Sequence, residues 1–185
     1  KSIESILGQT FTDLELILVD DGSPDRSGEI CDSYAEKDKR VKVIHFTENK
    51  GVTVTRNTAM QQARGRYITF VDADDEIADD TFEKVFEAVK DTLPHVVVFG
   101  VEERYYDQNQ QLKYTKKITL PEQYFSDRNK LREYVIELEK STLYGYLWNK
   151  WYDAEHIRQH SILIKDYPIA SDFFFNCDFL WILKP

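Results

Sequence analysis

A chain of 185 residues that is 42% hydrophobic and 14% aromatic has enough apolar side chains to bury one compact core, which excludes intrinsic disorder. The formal net charge of -9 excludes general affinity for nucleic acid, because displacing counterions from phosphates requires concentrated Lys and Arg. One acidic, folded domain is therefore the expectation, and its carboxylates need another explanation.

The first hundred residues predict helices that alternate with strands. A short helix ends near Gly8, and the later helices are expected at 28–37, 52–63 and 80–90. The strands are expected at 14–19, 41–46, 67–71 and 95–101. Because these strands are apolar throughout, they are typical of a parallel sheet that is covered on both faces. The expected fold is therefore α/β, with a doubly wound, mostly parallel sheet.

The sequence changes character after Val101. Residues 101–120 are polar and aromatic, which predicts an antiparallel hairpin with its turn at 107–110. A helix is expected at 128–140, and the remaining residues are dense in aromatic side chains. We expect this last part to form a small helical region that packs on the sheet.

Acidic clusters follow two of the predicted strands. Asp20 and Asp21 end the run LELILVDD, and Asp72, Asp74 and Asp75 end the run YITFVDADD. Ligands of open α/β sheets bind in the crevice beyond the carboxyl ends of the strands, so both clusters are expected to face one crevice. Carboxylates that meet there repel each other unless a cation compensates, and hard oxygen ligands suit Mg²⁺ or Mn²⁺. The clusters therefore predict a divalent metal that is shared with substrate phosphates.

Other interpretations of these aspartates stay open or fail. Any single Asp of this kind is also typical of a helix N-cap or a turn. An EF-hand calcium loop beginning at Asp72 fails, because Ile77 stands where glycine is needed and a strand precedes the loop. A receiver-like phosphoacceptor domain also places acidic residues at strand ends, but it leaves the hairpin and the aromatic region without a role.

Three segments in the first hundred residues resemble successive signatures of the family 2 glycosyltransferases of GT-A type. They are KSIESILGQTFTDLELILVDDGSPDRS, NKGVTVTRNTAM and ARGRYITFVDADDEI, in the family's order and spacing. The resemblance implies that Asp21 contacts the nucleotide base and that Arg56 lies near the nucleotide. It also implies that Asp72 and Asp74 form the family's D-x-D motif, which touches the ribose and holds Mn²⁺ or Mg²⁺ on the diphosphate.

The C-terminal part resembles the family more loosely. LWNKWY at 147–152 is similar to a segment that precedes the family's catalytic motif G-E-D-x-x-F, and Ala170, Ser171 and Asp172 occupy the G-E-D positions. The resemblance implies that Asp172 is the catalytic base, although Ser171 replaces the usual Glu. Asp172 is also a candidate N-cap for a helix at 173–181.

The resemblance implies an inverting, metal-dependent glycosyltransferase of hexosyltransferase type. Its donor is expected to be a nucleotide-diphosphate sugar, most simply a UDP-sugar, and its acceptor a carbohydrate or lipid-linked hydroxyl in surface polysaccharide synthesis. Residues 1–101 would be the nucleotide-sugar-binding core, without the family's first strand, and residues 102–185 the hairpin and acceptor-side region of the same domain. The chain would thus be incomplete at both ends relative to the family.

Two alternative functions remain at this point. The first is a sugar-nucleotide-binding module that has lost transfer, which Ser171 and the expected missing strand favour. The second is the receiver-like domain. A sugar nucleotidyltransferase would want a glycine-rich, basic triphosphate loop near the N-terminus, and the sequence has none there.

Cysteine use and hydropathy bear on location. Cys31 and Cys177 have neither the number nor the spacing of a disulfide framework or a zinc site, so a reducing compartment is expected. No apolar run reaches the roughly 18 to 20 residues that cross a bilayer. These features predict a cytoplasmic protein, with peripheral contact to the inner face of the membrane left open.

Overall fold

The computed structural model describes residues 1–183. The elements, in chain order, are α1 (Ser2–Leu7), β1 (Leu16–Asp20), α2 (Ser27–Lys37), β2 (Val41–His45), α3 (Val52–Gln62), β3 (Tyr67–Ile68), α4 (Thr81–Val89), β4 (Val96–Val98), β5 (Val101–Tyr106), β6 (Leu112–Ile118), α5 (Arg128–Lys140), β7 (Lys150–Asp153), α6 (Ala154–His160) and α7 (Ser171–Ile182). None of the helices in this range has both the length and the apolar character needed to cross a membrane.

The strands form three hydrogen-bonded groups. β1 and β2 are parallel, in a register that runs from Leu16 opposite Val41 to Asp20 opposite His45. β7 lies between β3 and β4 and is antiparallel to both. The predicted α/β class is confirmed, but the strand pairing is more mixed than predicted, because β7 comes from the aromatic region that was expected to lie outside the sheet.

The predicted hairpin is confirmed as β5 and β6, with its turn at 107–110. The Asp107 carboxylate stabilises this turn by accepting hydrogen bonds from the backbone N–H groups of Asn109 and Gln111, at 2.8 and 2.9 Å. The strand expected at 95–101 is divided at Gly100. A Cβ at Gly100 would lie 2.7 Å from Cγ2 of Thr119 and 2.8 Å from the carbonyl oxygen of Ile118, so only glycine allows the chain to pass here.

Two apolar clusters form the core, and β7 separates them. Successive side chains of a strand point to opposite faces, and Trp151 and Tyr152 follow that rule. Trp151 packs with Phe82 of α4 in the cluster that contains β1 and β2. Tyr152 is 1% exposed and packs edge-on against Phe175 of α7 in the other cluster. The C-terminal region is therefore part of the main core.

A cavity of about 1070 Å³ lies between β1 and β3. Among the described residues β1 pairs only with β2 and β3 only with β7, so the facing edges of the two strands are unpaired. The consecutive residues 13–20 and 63–73 line the cavity, which places it along the strand edges and not over one face of a sheet. The further strand that the family resemblance implies stays a prediction.

Candidate active site

Arg56 brings three of the predicted site residues together. Its side chain extends from the second turn of α3 and is 17% exposed. Nη2 donates to Oδ1 of Asp72 at 2.8 Å, and Nη1 donates to Oδ1 of Asp172 at 2.7 Å. The guanidinium also lies 6.0 Å from the ring centroid of Phe70. Residues from the DADD segment and from the C-terminal helix therefore meet at one cation.

Asp172 is partly buried at the start of α7. Burial raises the pKa of its carboxyl group, as does the negative charge of Asp72, while Arg56 and the backbone N–H of Leu147 oppose that rise. A raised pKa makes a carboxylate a better proton acceptor near neutral pH. The N-cap alternative for Asp172 is wrong: α7 begins at Ser171, its N-cap position is Ala170, and the Asp172 side chain is bound to Arg56.

The DADD segment forms a turn beyond β3. The backbone N–H of Asp75 donates to the carbonyl oxygen of Asp72 at 3.0 Å, and Asp74 is exposed. The pKa of Asp75 is raised by partial desolvation and by the negative charges of Asp72 and Asp74. Negative charge thus accumulates in this segment, and the only cation that contacts it through a hydrogen bond in the described part of the chain is Arg56.

The donor groups of this segment fit a shared metal site. Within residues 1–183, no three His, Cys, Asp or Glu side chains converge as a complete set of metal ligands. Mg²⁺, however, is usually held by one or two carboxylates, and substrate phosphates and water complete its shell. The carboxylate oxygens of Asp72 and Asp74 are of that kind. They fit a divalent ion that arrives with a diphosphate and do not form a cage of their own.

Asp21 holds the segment that leads into α3. Its two carboxylate oxygens accept hydrogen bonds from the backbone N–H groups of Lys50 and Gly51, at 2.7 and 2.9 Å. The adjacent Gly22 has φ +67°, and a Cβ there would lie 2.7 Å from the carbonyl carbon of Glu48. Asp21 thereby fixes the start of the helix that carries Arg56. Its contact with a nucleotide base stays a prediction.

Sequence reasoning missed a histidine bridge next to Asp21. Nδ1 of His45 lies 3.1 Å from Oδ2 of Asp20, and Nε2 lies 2.9 Å from Oδ1 of Asp32. Hydrogen bonds with Asp32 and then Asp20 raise the pKa of His45. The parallel register of β1 and β2 places His45 opposite Asp20, so the predicted strand ends could have suggested that contact. The contact of His45 with Asp32 depends on the position of α2, which no local sequence signal encodes.

A second feature that the sequence did not predict is a buried lysine at the start of β7. Lys150 is 2% exposed, and its Nζ donates to three oxygens: the carbonyls of Leu143 and Tyr146 at 2.8 and 2.5 Å, and Oδ1 of Asn149 at 2.7 Å. Burial lowers the pKa of Lys150 to about 7, although the negative charge of Asp172 opposes that shift. The lysine therefore fixes the backbone of residues 143–149 from the inside.

Asn176 completes this buried polar group. It lies one turn after Asp172 in α7 and is 2% exposed. Its Nδ2 donates to the carbonyl oxygen of Tyr144 at 2.7 Å, and its Oδ1 accepts from the hydroxyl of Tyr152 at 2.5 Å. The segment LWNKWY, noticed in the sequence only for its position before Asp172, thus contributes the polar groups that hold the loop beside it.

Comparisons with known proteins show the family of this chain. The profile of a family described as glycosyl transferase family 2 matches residues 1–148. The chain is 35% identical over 179 residues to the uncharacterized glycosyltransferase EpsJ of Bacillus subtilis (strain 168), covering 94% of this chain and 49% of EpsJ. It is 46% identical over 87 residues to the minor teichoic acid biosynthesis protein GgaB of the same organism, covering 46% of this chain and 10% of GgaB. The chain thus spans about half the length, or less, of these relatives.

Solved structures share the fold. S. aureus TarS 1-349 in complex with UDP superposes with a TM-score of 0.70 and 22% identity, over 97% of this chain and 50% of TarS 1-349. The same protein in complex with UDP-GlcNAc gives a TM-score of 0.66 over 95% of this chain and 47% of that one. The GT-A expectation for the fold is confirmed, and the receiver-like alternative is wrong.

Proposed function

The chain belongs to glycosyl transferase family 2, and on that premise we propose that it binds a nucleotide-diphosphate sugar and transfers the sugar to an acceptor hydroxyl. The TarS complexes with UDP and UDP-GlcNAc favour a UDP-sugar as the donor. The similarity to GgaB favours surface polysaccharide synthesis as the process. We propose the cytoplasm as its location, with peripheral contact to the inner face of the membrane where the acceptor is lipid-linked.

The observation that carries the proposal is the double ion pair of Arg56. One guanidinium holds Asp72, from the proposed donor site, and Asp172, the proposed base, at 2.8 and 2.7 Å. Donor-binding and proton-accepting groups must lie on the two sides of one reacting carbon, so they need a fixed separation. Arg56 fixes the separation of Asp72 and Asp172, because the guanidinium group that binds both is rigid and planar.

In the proposed reaction Asp172 accepts the proton of the acceptor hydroxyl as its oxygen attacks the anomeric carbon. The new bond forms on the face opposite the leaving group, the carbon–oxygen bond to the diphosphate breaks, and the nucleoside diphosphate leaves with the electron pair. The configuration at the anomeric carbon is therefore inverted. Burial of Asp172 raises its pKa and so favours this proton transfer.

Asp72 and Asp74 are the residues that would hold Mn²⁺ or Mg²⁺ together with the diphosphate. Such an ion supplies Lewis-acid stabilisation of the negative charge that develops on a leaving diphosphate. In this role Asp74 would bind the ion through its exposed carboxylate, whereas the Asp72 carboxylate is also bound to Arg56. Asp74→Asn should therefore reduce the extra thermal stabilisation that Mn²⁺ gives to the protein with a bound UDP-sugar, with little effect on the position of Arg56.

The second candidate is a sugar-nucleotide-binding module without transfer activity. Ser171 favours it, because a serine hydroxyl that donates to the carbonyl oxygen of Tyr167 at 3.1 Å replaces the family's Glu. The two candidates share donor binding and differ in turnover, so one set of measurements separates them.

Substitution of the proposed base tests the reaction. Purified protein is first screened with UDP-sugars for thermal stabilisation with and without Mn²⁺, since a ligand that binds the native state must raise its stability. Asp172→Asn should lower the turnover of the donor so identified by about 10² to 10⁴-fold, the usual contribution of a positioned base. Its stabilisation by the donor should be unchanged.

Asp178→Asn is the matched control, because Asp178 lies on the same helix and, within residues 1–183, its ion-pair partner is the surface residue Lys165 at 2.7 Å. Turnover by this variant should equal that of the unmodified protein. Full activity of Asp172→Asn would contradict the base assignment. Donor binding without any turnover in the unmodified protein would favour the binding module.

A further inference from the structure

An aromatic pair lies on the loop at 143–149, which packs against the start of α7. The rings of Tyr146 and Trp148 are stacked, with centroids 4.9 Å apart and an interplanar angle of 25°. Tyr146 is 44% exposed and Trp148 is partly buried, while Leu147 between them is 0% exposed. Phe173, the residue after the proposed base, packs edge-on against Tyr144 of the same loop, with ring centroids 5.2 Å apart. The buried leucine therefore anchors the loop, and the loop packs against the first turn of the helix that carries the base.

The loop at 143–149 is held by a network of buried polar side chains, and burying a lysine in it costs desolvation free energy. Lysine is almost never fully buried unless it is paired, yet Lys150 is 2% exposed and donates to the carbonyl oxygen of Tyr146 itself at 2.5 Å. Asn176 donates to the same carbonyl oxygen at 3.3 Å. Buried polar networks that are fully satisfied rigidify the backbone they contact. A rigid backbone that presents a large, partly exposed aromatic pair is the arrangement expected of a binding site.

The chemistry of this surface fits a sugar ring. Aromatic side chains offer flat apolar faces, and the axial C–H groups of a pyranose form a flat apolar patch of matching size. Stacking between Tyr146 and Trp148 uses one face of each ring, so the exposed part of Tyr146 remains available. Asp172 belongs to the first turn of the helix that packs on this loop, so its carboxylate can accept a hydroxyl proton from a ring bound there.

We propose that the Tyr146–Trp148 pair is the platform on which a pyranose ring of the acceptor binds, with one of its hydroxyl groups directed at Asp172. This inference rests on the proposed function and narrows it. The acceptor is a sugar at the reacting end, even if a lipid carries that sugar. Tyr146 and Trp148 then decide which acceptors bind, and Asp172 decides whether a bound acceptor reacts.

Saturation-transfer NMR tests the platform directly. The probes are the methyl β-glycosides of glucose, galactose, N-acetylglucosamine and N-acetylgalactosamine, each added to the protein in the presence of UDP. Irradiation of the aromatic protons should transfer saturation to the C–H protons on one face of at least one glycoside. Tyr146→Ala should weaken binding of that glycoside about tenfold, the upper range for one aromatic contact. Trp148→Phe keeps a ring and should weaken it less.

The matched control is Tyr114→Ala. Tyr114 forms a second stacked pair with Tyr105, at 4.3 Å and 15°, on the β5–β6 hairpin, and it is 55% exposed. This variant should bind the glycoside like the unmodified protein. Stabilisation by a UDP-sugar, measured in parallel, should be the same in all variants and also shows that each is folded.

Each result has a distinct meaning. Equal glycoside binding by Tyr146→Ala and the unmodified protein would overturn the platform. So would the absence of glycoside binding in a protein that a UDP-sugar still stabilises, and in that case the donor site would stand. If no UDP-sugar stabilises the unmodified protein, the proposed function fails and the platform fails with it.

Discussion

At the scale of single residues, Arg56 decides the geometry of the site. An arginine presents several N–H donors in one plane, and here two of them contact carboxylates from different parts of the chain. The sequence predicted that Arg56, Asp72 and Asp172 belong to one site because of the family pattern. It could not predict that Arg56 bridges the two aspartates, because that contact joins residues 116 positions apart.

Replacement of Arg56 should destabilise the fold as well as the site. Arg56→Ala leaves two partly buried carboxylates without their charged donor, so the free energy of unfolding should fall by about 1–3 kcal/mol. Arg26→Ala is the control, because the Arg26–Glu29 pair is exposed and should contribute less than about 1 kcal/mol. Urea unfolding monitored by circular dichroism measures both. Equal losses in the two variants would mean that the bridge is not formed in solution.

Lys150 gives the site a measurable pH dependence. Its pKa is lowered to about 7 by burial, whereas a lysine in an unfolded chain titrates near about 10.4. Between these values the unfolded state binds more protons than the native state, so the free energy of unfolding should rise as the pH increases from about 7 to 9. One such group contributes at most about 1.4 kcal/mol per pH unit.

Lys150→Met should remove the contribution of Lys150 to the rise of the free energy of unfolding with pH. Urea unfolding at pH 7, 8 and 9 measures that rise. The variant should also be less stable, because three oxygens lose a donor. Lys90→Met, which alters a surface pair with Glu87, keeps the slope and serves as the control. If the free energy of unfolding of Lys150→Met rose with pH as steeply as that of the unmodified protein, the lowered pKa of Lys150 would be contradicted.

At the scale of elements, helices were easier to predict than strands. The helix expected at 128–140 has those bounds, since its start and end are encoded locally and Asp127 caps it by accepting from the backbone N–H of Asn129 at 2.7 Å. β7 was missed, because four residues with no alternation carry little local signal. Its identity as a strand depends on pairing with β3 and β4, which are more than fifty residues away.

The turn between β1 and α2 offers a test at this scale. Gly22 and Gly51 both have positive φ, +67° and +86°, but only Gly22 is also crowded, because a Cβ there would lie 2.7 Å from the backbone of Glu48. Gly51→Ala should cost backbone strain alone, about 1–3 kcal/mol, because φ +86° with ψ 159° is a conformation that almost only glycine adopts. Gly22→Ala should cost clearly more, because Glu48 and the loop that Asp21 holds must move. Urea unfolding of both variants measures the difference, and equal losses would contradict the packing described for this turn.

At the scale of the whole molecule, the site lies where the two parts of the chain meet. Asp72 comes from residues 1–101, Asp172 comes from residues 102–185, and β7 inserts the second part into the sheet of the first. The sequence predicted the α/β class and the grouping of its motifs, because strand ends in such folds converge. It could not predict the buried network around Lys150, because Asn176 of that network comes from α7, which packs on the loop at 143–149.

The most direct test of the account is where UDP binds. Amide chemical shifts recorded on addition of UDP and Mg²⁺ should change for residues 51–56 and 72–75, at the start of α3 and in the DADD segment. The amides of residues 107–111, in the hairpin turn, should not change. Shifts confined to the hairpin, or none near Asp72 at saturating UDP, would contradict the placement of the nucleotide site at the Arg56 bridge.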